Sequence, residues 1–459
     1  MQMTKTFRTM LAGVCTAASV SLSAGAPVQA ETLTDAMILA YKNSDLLEQN
    51  RALLRVQDEG VAQAVAALRP VLAFAASATE VDSDNPLQDG FNKSLSLNGS
   101  LTLFDGGSNR LAIEAAKESV LATRATLLGV EQAVLLNAVQ AYLNVRSSSE
   151  NVSLGFNNVR VITEQLRAAK DRFEVGEVTR TDVSLAESRL ASAQSSLVTS
   201  QGTLASAREA YRLSVGKYPP AVLTGTPRVP KLPGSLKEAS SIAQRSHPDL
   251  DAAQRQVTIA ELNMLRARSA RGPSLTGTIS VGETNGVDSS SIGLNYNHTL
   301  YAGGSLVSFE RQALANREAA LASLHLTSRT VDQGVANAWA ELAVSRAQLE
   351  ASLKQISAAQ LAYDGTREEA RLGSRTTLDV LDAEQELLNA RTSRVTAEAA
   401  QYVAYYSVLE SMGLLTVEHL NLGIPTYDPA AYYNAVKSAP VRSVQGQQLD
   451  KVLRSIGRE

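Results

Sequence analysis

Cysteine is almost missing: the 459 residues contain one, Cys15, and it lies among the first thirty positions. Downstream of it the chain has no disulfide framework, no thiolate metal site and no thiol nucleophile. Aromatic residues are scarce, at 5% with a single tryptophan, and charged residues stand at 19%. That scarcity, beside abundant Ala and Ser, argues against a thick globular interior and for helices that approach closely. The four histidines, His247, His298, His325 and His419, show no ligand spacing. No paired-acid, Ser/His/Asp or Gly-rich phosphate pattern occurs, so no enzyme and no cofactor or structural metal is implied. With 43 basic against 46 acidic residues, nothing argues for a nucleic-acid partner.

Two further absences are positional. After residue 30 no run of about 18 uncharged apolar residues occurs, which argues against a transmembrane helix. Proline is missing between Pro86 and Pro219 and again between Pro273 and Pro425, although five prolines crowd Pro219 to Pro233. Because interior proline costs about 3 kcal/mol in a helix, proline-free stretches rich in Ala, Leu, Glu, Gln and Arg permit very long helices. A helix from Ser108 to Glu174 would span roughly 100 Å at 1.5 Å per residue.

What is present begins with a leader. Lys5 and Arg8 precede an apolar run from Met10 to Ala26, and Val28-Gln29-Ala30 precede Glu31, the arrangement of a cleaved secretory signal over residues 1–30. Val14 is not the small residue that lipidation of Cys15 would need, so the mature chain is expected to start at Glu31 without a lipid. Such a chain is periplasmic, extracellular or a β-barrel of the outer membrane.

A phrase is then written twice. Residues 172–194 read RFEVGEVTRTDVSLAESRLASAQ and 369–391 read EARLGSRTTLDVLDAEQELLNAR. Gly176 falls over Gly373, Asp182 over Asp379 and Ala186-Glu187 over Ala383-Glu384, each 197 positions apart. The same spacing joins Gly106 to Gly303 and Gly216 to Gly413, so the copies match without insertion or deletion. From the end of each phrase apolar residues fall on alternating steps of three and four: Leu190, Ala193, Leu197, Leu204, Ala207 and Tyr211, with Ser200 filling one step, then Leu387, Ala390, Ala397, Ala404 and Val408. Arg394 and Gln401 interrupt the second seam, but the period is that of a coiled helical pair.

Ahead of each long helical run the period changes to two. SLSLNGSLTL at 94–103 and IGLNYNHTL at 292–300 alternate apolar and polar residues, each preceded by a similar stretch starting at Leu72 or Ser274. Strands of about ten residues with one apolar and one small polar face match transmembrane β-barrel strands with a polar lumen, the alternative being a soluble antiparallel sheet with one wet face. Four strands cannot close a water-filled barrel, so the membrane reading needs several chains. The fold class expected is mostly α with a small antiparallel β part, in two tandem repeats. The first repeat covers 31–217, with a helix over about 33–69, a hairpin at about 70–104 and a helical tip at about 174–182. A Pro-rich linker follows at 218–235. The second repeat covers 236–424, with a hairpin at about 273–301 and a tip at about 371–379, and a tail, 425–459, includes YDPAAYY.

In each tip the glycine, Gly176 or Gly373, offers the left-handed backbone that closes one helix, while Thr181, Asp182 or Asp379 can cap the next. Capping alone explains the shared aspartates. Asp382 is different: its repeat partner is Leu185, and it stands one turn past Asp379 on the same face. Tyr142 and Trp339 are repeat equivalents and read as helix packing. Phe104, Tyr296 and Tyr301, near strand ends, suit an interfacial aromatic girdle as well as strand packing.

The two Gly-x-x-x-x-x-Asp-Val phrases, the Ala-Glu pairs behind them, the LFDGG and LYAGG strand exits and the tandem layout together resemble the TolC-like outer-membrane efflux proteins, over essentially the whole mature chain. The resemblance implies a homotrimer whose twelve strands form one barrel in outer-membrane lipid of a Gram-negative bacterium, continued by an α-helical tunnel into the periplasm. It further implies a passive exit duct of a tripartite export system, for type I protein secretion or drug efflux. Its partners would be a periplasmic adaptor (membrane fusion) protein and an inner-membrane ABC or RND transporter. Asp379 and Asp382 match the family's aperture aspartates, a possible cation-binding ring, and Arg375 matches its gate arginine, linked with Thr181 and Asp182 across the closed entrance. Ala370 departs from the pattern, standing where a tyrosine helps close the gate. The alternative is a periplasmic helical scaffold without channel activity.

Overall fold

Two helices of equal length set the dimensions of the molecule. In the computed structural model, which describes residues 31–82, 90–220, 223, 227–440, 444, 447–448 and 451, α3 (Ser108–Glu174) and α7 (Ser305–Arg371) each run 67 residues. Both are about 100 Å long. The expected leader, Cys15 included, and residues 83–89 lie outside the described residues. In each repeat two shorter helices and two strands precede the long helix: α1 (Leu33–Asn43), α2 (Asp45–Ala66), β1 (Val71–Val81) and β2 (Gly90–Phe104), then α5 (Leu236–Ser246), α6 (Pro248–Ser269), β3 (Ser274–Thr284) and β4 (Val287–Asn297). A returning helix follows, α4 (Arg180–Val215) or α8 (Thr377–Ser411), and α9 (Pro429–Val436) closes the tail.

The single helix expected over 33–69 is broken. Ser44 adopts an extended conformation between α1 and α2, and its hydroxyl accepts from the Leu47 amide, so one residue ends a helix and caps the next. His247 does the same between α5 and α6, held extended by the ring of Pro248.

The four strands form one antiparallel sheet in the order β1-β2-β3-β4, so the two repeats meet where β2 pairs with β3. The fourth strand ends at Asn297, three residues short of the expected Leu300. Register puts Phe74, Leu97 and Val281 side by side, and Leu72, Gly99, Ile279 and Ile292 in the next apolar row. This face is bare: Phe74 is 70% exposed, Leu294 71% and Ile292 86%. The opposite face carries Ser, Thr, Asn and Ala joined by their own hydrogen bonds. Ser280 Oγ donates to Asn98 Oδ1 at 2.7 Å, Asn98 Nδ2 donates to Ser96 Oγ at 3.0 Å, and the Ser77 and Ser94 hydroxyls lie 2.8 Å apart.

The main core sits below the sheet, where α1, α3, α4, α5, α7 and α8 meet. The hydroxyl of fully buried Tyr211 donates to the Glu31 carboxylate at 2.7 Å, and that of Tyr142 to the Glu31 carbonyl at 3.3 Å. Tyr142 is thus a packing residue, and Trp339 lies partly buried against the same core. The seam residues Ala193, Leu197, Leu204 and Tyr211 are buried, as are Leu387, Ala390, Ala397, Ala404 and Val408. Arg394 enters the second seam by pairing with Glu150 and Glu398. Among the described residues one helix, α3, holds an 18-residue window of mean hydropathy 1.3, apolar and long enough to cross a bilayer by length and composition, a test that the core helix of a folded protein also passes. Leu135, Ala138, Val139, Tyr142 and Leu143 of α3 all lie within the core.

The tail straps α9 across α2 and α3. Tyr432 donates to Glu59 at 2.6 Å, the Arg69 guanidinium donates to the Ser438 and Ala439 carbonyls, and Arg124 lies over the Tyr433 ring.

Candidate functional site at the helical tips

Far from the sheet, each long helix turns back on itself within five residues. At the first tip the Gly176 amide donates to the Phe173 carbonyl at 3.0 Å and Glu177 to Arg172 at 2.9 Å. The second repeats it with Gly373 to Ala370 at 3.2 Å and Ser374 to Glu369 at 3.0 Å. This paired pattern needs a left-handed residue after the last helical turn, and φ is +81° at Gly176 and +80° at Gly373. A Cβ at either would touch nothing within 4 Å. Backbone conformation, not space, demands glycine.

The next helix starts with a reciprocal cap. Thr179 and Thr376 are the capping residues, three positions before Asp182 and Asp379. The threonine hydroxyl accepts from the aspartate amide at 3.3 Å in the first tip and 3.2 Å in the second. Each carboxylate in turn accepts from the threonine amide at 2.9 Å. Thr181 is therefore not a cap but an exposed residue of the first helical turn, and the aspartates act from the third position rather than from the cap itself. Hydrogen bonds from Thr179 and Thr376 hold both carboxyls below the usual range.

The unshared residues behave differently. Asp382 Oδ1 accepts from Arg189 Nη2 of α4 at 2.7 Å, joining the two hairpins of one chain. Beside this ion pair Leu381 inserts among Ile162, Leu166, Ala186 and Ala193 of the first hairpin. Arg375 turns back to its own hairpin, its Nε donating to Glu369 at 2.9 Å. Glu369 beside it raises the Arg375 pKa further. Within one chain, then, Arg375 is engaged by Glu369 rather than by Thr181 or Asp182. Ala370 is buried against Tyr363, Val380 and Leu387. Between the hairpins runs a polar groove of about 520 Å³, lined among others by Asn158, Arg189, Ser192, Ser196 and Asn389.

Two participants, Arg189 and Glu369, escaped the reading of the sequence. Their repeat equivalents are Glu386 and Arg172. Both are charge reversals between otherwise matching phrases, the same kind of unshared letter that singled out Asp382, and a comparison of charge alone would have found them.

A family profile described as outer membrane efflux protein matches residues 38–217 and 239–414. The outer membrane efflux protein BepC of Brucella suis is 34% identical over 434 residues, covering 92% of this chain and 94% of that one. The outer membrane protein TolC of Vibrio cholerae is 25% identical over 415 residues, covering 86% and 94%. Among solved structures, the CmeC outer membrane channel of Campylobacter jejuni superposes with a TM-score of 0.73 at 19% identity, covering 89% of both chains, a likeness of fold.

Proposed function

The chain belongs to the outer membrane efflux protein family of Gram-negative outer membranes, and from that premise we propose that three copies close one twelve-stranded barrel and continue it as a helical tunnel into the periplasm. The assembly is the exit duct of a tripartite export system, serving type I protein secretion or drug efflux. A periplasmic adaptor and an inner-membrane ABC or RND transporter engage its tips, and cargo passes without chemistry.

One observation carries this reading. The sheet has a bare apolar face of Leu72, Phe74, Leu97, Ile292 and Leu294, and its first and last strands each have an unpaired edge among the described residues. Unpaired backbone groups cost several kcal/mol each in a bilayer, so such a sheet is stable in lipid only when copies close it into a barrel. The hydroxyl and amide face then becomes the wall of a wet lumen.

The tips supply the gate. Threefold symmetry turns Asp379 and Asp382 into two stacked rings of three carboxylates, a cation-binding constriction. Asp382 is held by Arg189, Asp379 by Thr376, and Arg375 by Glu369, restraints that suit a resting entrance. Asp182 and Thr181 stand at the matching level of the first hairpin, where a neighbouring copy's Arg375 would meet them on closure. Ala370 supplies no hydroxyl to that closure, so the resting gate is looser than a tyrosine would make it.

The test is extraction of the mature protein from outer membrane in detergent, sizing of the particle and reconstitution into planar bilayers. A trimer that conducts is the expected result. A monomer found free in the periplasm, without conductance, would establish the scaffold instead.

A further inference from the structure

The duplicated phrase contains one pair of identical residues that the two hairpins treat in opposite ways. Glu187 lies on the surface of the first hairpin, its carboxylate 2.9 Å from Lys170 Nζ, with both side chains about half exposed. Its equivalent Glu384 is folded into the second hairpin, only 7% exposed, on the face that α8 turns toward α7 with Val380 and Leu387. The cause is a second unshared position. Where the first hairpin has Leu166, the second has Tyr363, buried in the same cluster as Val380 and Leu387 and coupled electrostatically to the Glu384 carboxyl. The outward alternative is still encoded, because Arg367 occupies the position equivalent to Lys170.

We infer that Glu384 is a two-position, proton-sensitive latch of the second hairpin: inward against Tyr363, or outward against Arg367 in the arrangement that Glu187 and Lys170 adopt in the first. The inference deepens the proposed function, since it rests on reading the tips as the moving entrance. Glu384 follows Asp382 by two residues and Asp379 by five, on the same helix. When it leaves the seam it removes a packing element from α7 and α8 next to both carboxylate rings.

The groups facing Glu384 are Tyr363 and Arg367 on α7 and Arg391 on α8, with Asp364 acting on Tyr363. Arg391 Nη2 is engaged by Gln360 Oε1 at 2.8 Å. Burial raises the Glu384 pKa above its ordinary value, opposed by Tyr363 and by the two arginines. The inward state therefore gains as pH falls through that raised value, and the outward state gains as pH rises. Repeat one lacks the tyrosine and is fixed outward. The second hairpin alone is bistable, with a gap set by one proton.

The experiment uses the full mature trimer in detergent. Because the mature chain has no other cysteine, Ser374→Cys can carry a single spin label at the tip, where the native side chain is exposed. The mobile fraction of the label is expected to rise about threefold or more from acid to mildly alkaline pH in the parent. Glu384→Gln is expected to stay immobile across that range. Tyr363→Leu, which copies the first hairpin, is expected to be mobile throughout, and Glu187→Gln to behave as the parent. A parent-like titration in either the Glu384 or the Tyr363 variant overturns the latch. Because the label reports the hairpin without any conductance, a titrating tip in a protein that never conducts would sink the channel reading and leave the latch standing.

Discussion

Asp382 and Arg189 meet at 2.7 Å across the two hairpins of a single chain, although 193 residues separate them in sequence. Neither hairpin has the equivalent of the pair: the partners' repeat positions hold Leu185 and Glu386. Beneath it Leu381 enters the first hairpin, so a polar tie and an apolar knob together hold α8 against α4 near the tips.

Arg189→Ala is expected to free the tips rather than unfold them. Exposed ion pairs contribute about 0.2 to 1 kcal/mol, and these side chains are 41% and 54% exposed. Melting should change little while open-channel probability in planar bilayers rises. The exchange Arg189→Asp with Asp382→Arg should return conductance toward the parent, and a double variant no different from the single would show that the pair has no gating role.

Replacing both Asp379 and Asp382 by Ala is expected to abolish block of the channel by multivalent cations, since these carboxylates are the paired acids of the second tip. Titration of bilayer current with a trivalent cation measures it. Persisting block at the parent concentration would refute the ring.

Leu97→Arg and Leu294→Arg test which face of the sheet meets lipid. Both residues lie on the bare apolar face, and lipid-facing Arg near the bilayer midplane costs roughly 2 to 4 kcal/mol. Less trimer should accumulate in the outer membrane. Ser96→Arg, on the other face, should assemble normally, and equal loss in all three would contradict the orientation.

Asp58 carries an acid-dependent share of stability. It is fully buried under the tail strap, with neither carboxylate oxygen hydrogen-bonded. Burial pushes its pKa up to about 6, against the pull of Arg124 and with Glu59 adding to the rise. A folded-state value above the unfolded one favours the protonated fold. The contribution, roughly 3 kcal/mol at most, is therefore full below about pH 4 and is lost as pH rises through about 6. Melting curves of the parent and of Asp58→Asn should diverge across that window, the variant holding its stability as the parent loses it. Parallel curves would show that Asp58 does not titrate there.

Most of the architecture was legible because it depends on local rules. The absence of proline and the Ala-rich composition led to a helix from Ser108 to Glu174, and the alternation in SLSLNGSLTL to a strand, since helix and strand periods follow from backbone geometry. The break at Ser44 was not legible, because a serine inside a helical pattern is common and only its contact with Leu47 makes it a cap. In the tips the shared glycines and aspartates carried the turn and its cap, but Thr179 and Thr376 were overlooked in favour of Thr181. Three threonine and arginine residues crowd the start of α4, and the choice of cap depends on which one leaves helical φ/ψ.

The sequence by itself determined that one helical hairpin is built twice, that both copies end in the same left-handed turn, and that strands with one apolar face precede each. These follow from residue spacing and from what glycine, proline and alternating side chains allow. Only the tertiary structure decided which carboxylates of the repeated phrase are engaged and how. Asp382 reaches Arg189, Arg375 returns to Glu369, and Glu384 turns inward where Glu187 turns out, because each outcome depends on a neighbour supplied by another helix. A backbone pattern is local in sequence. The partner of a charge is set by packing in space.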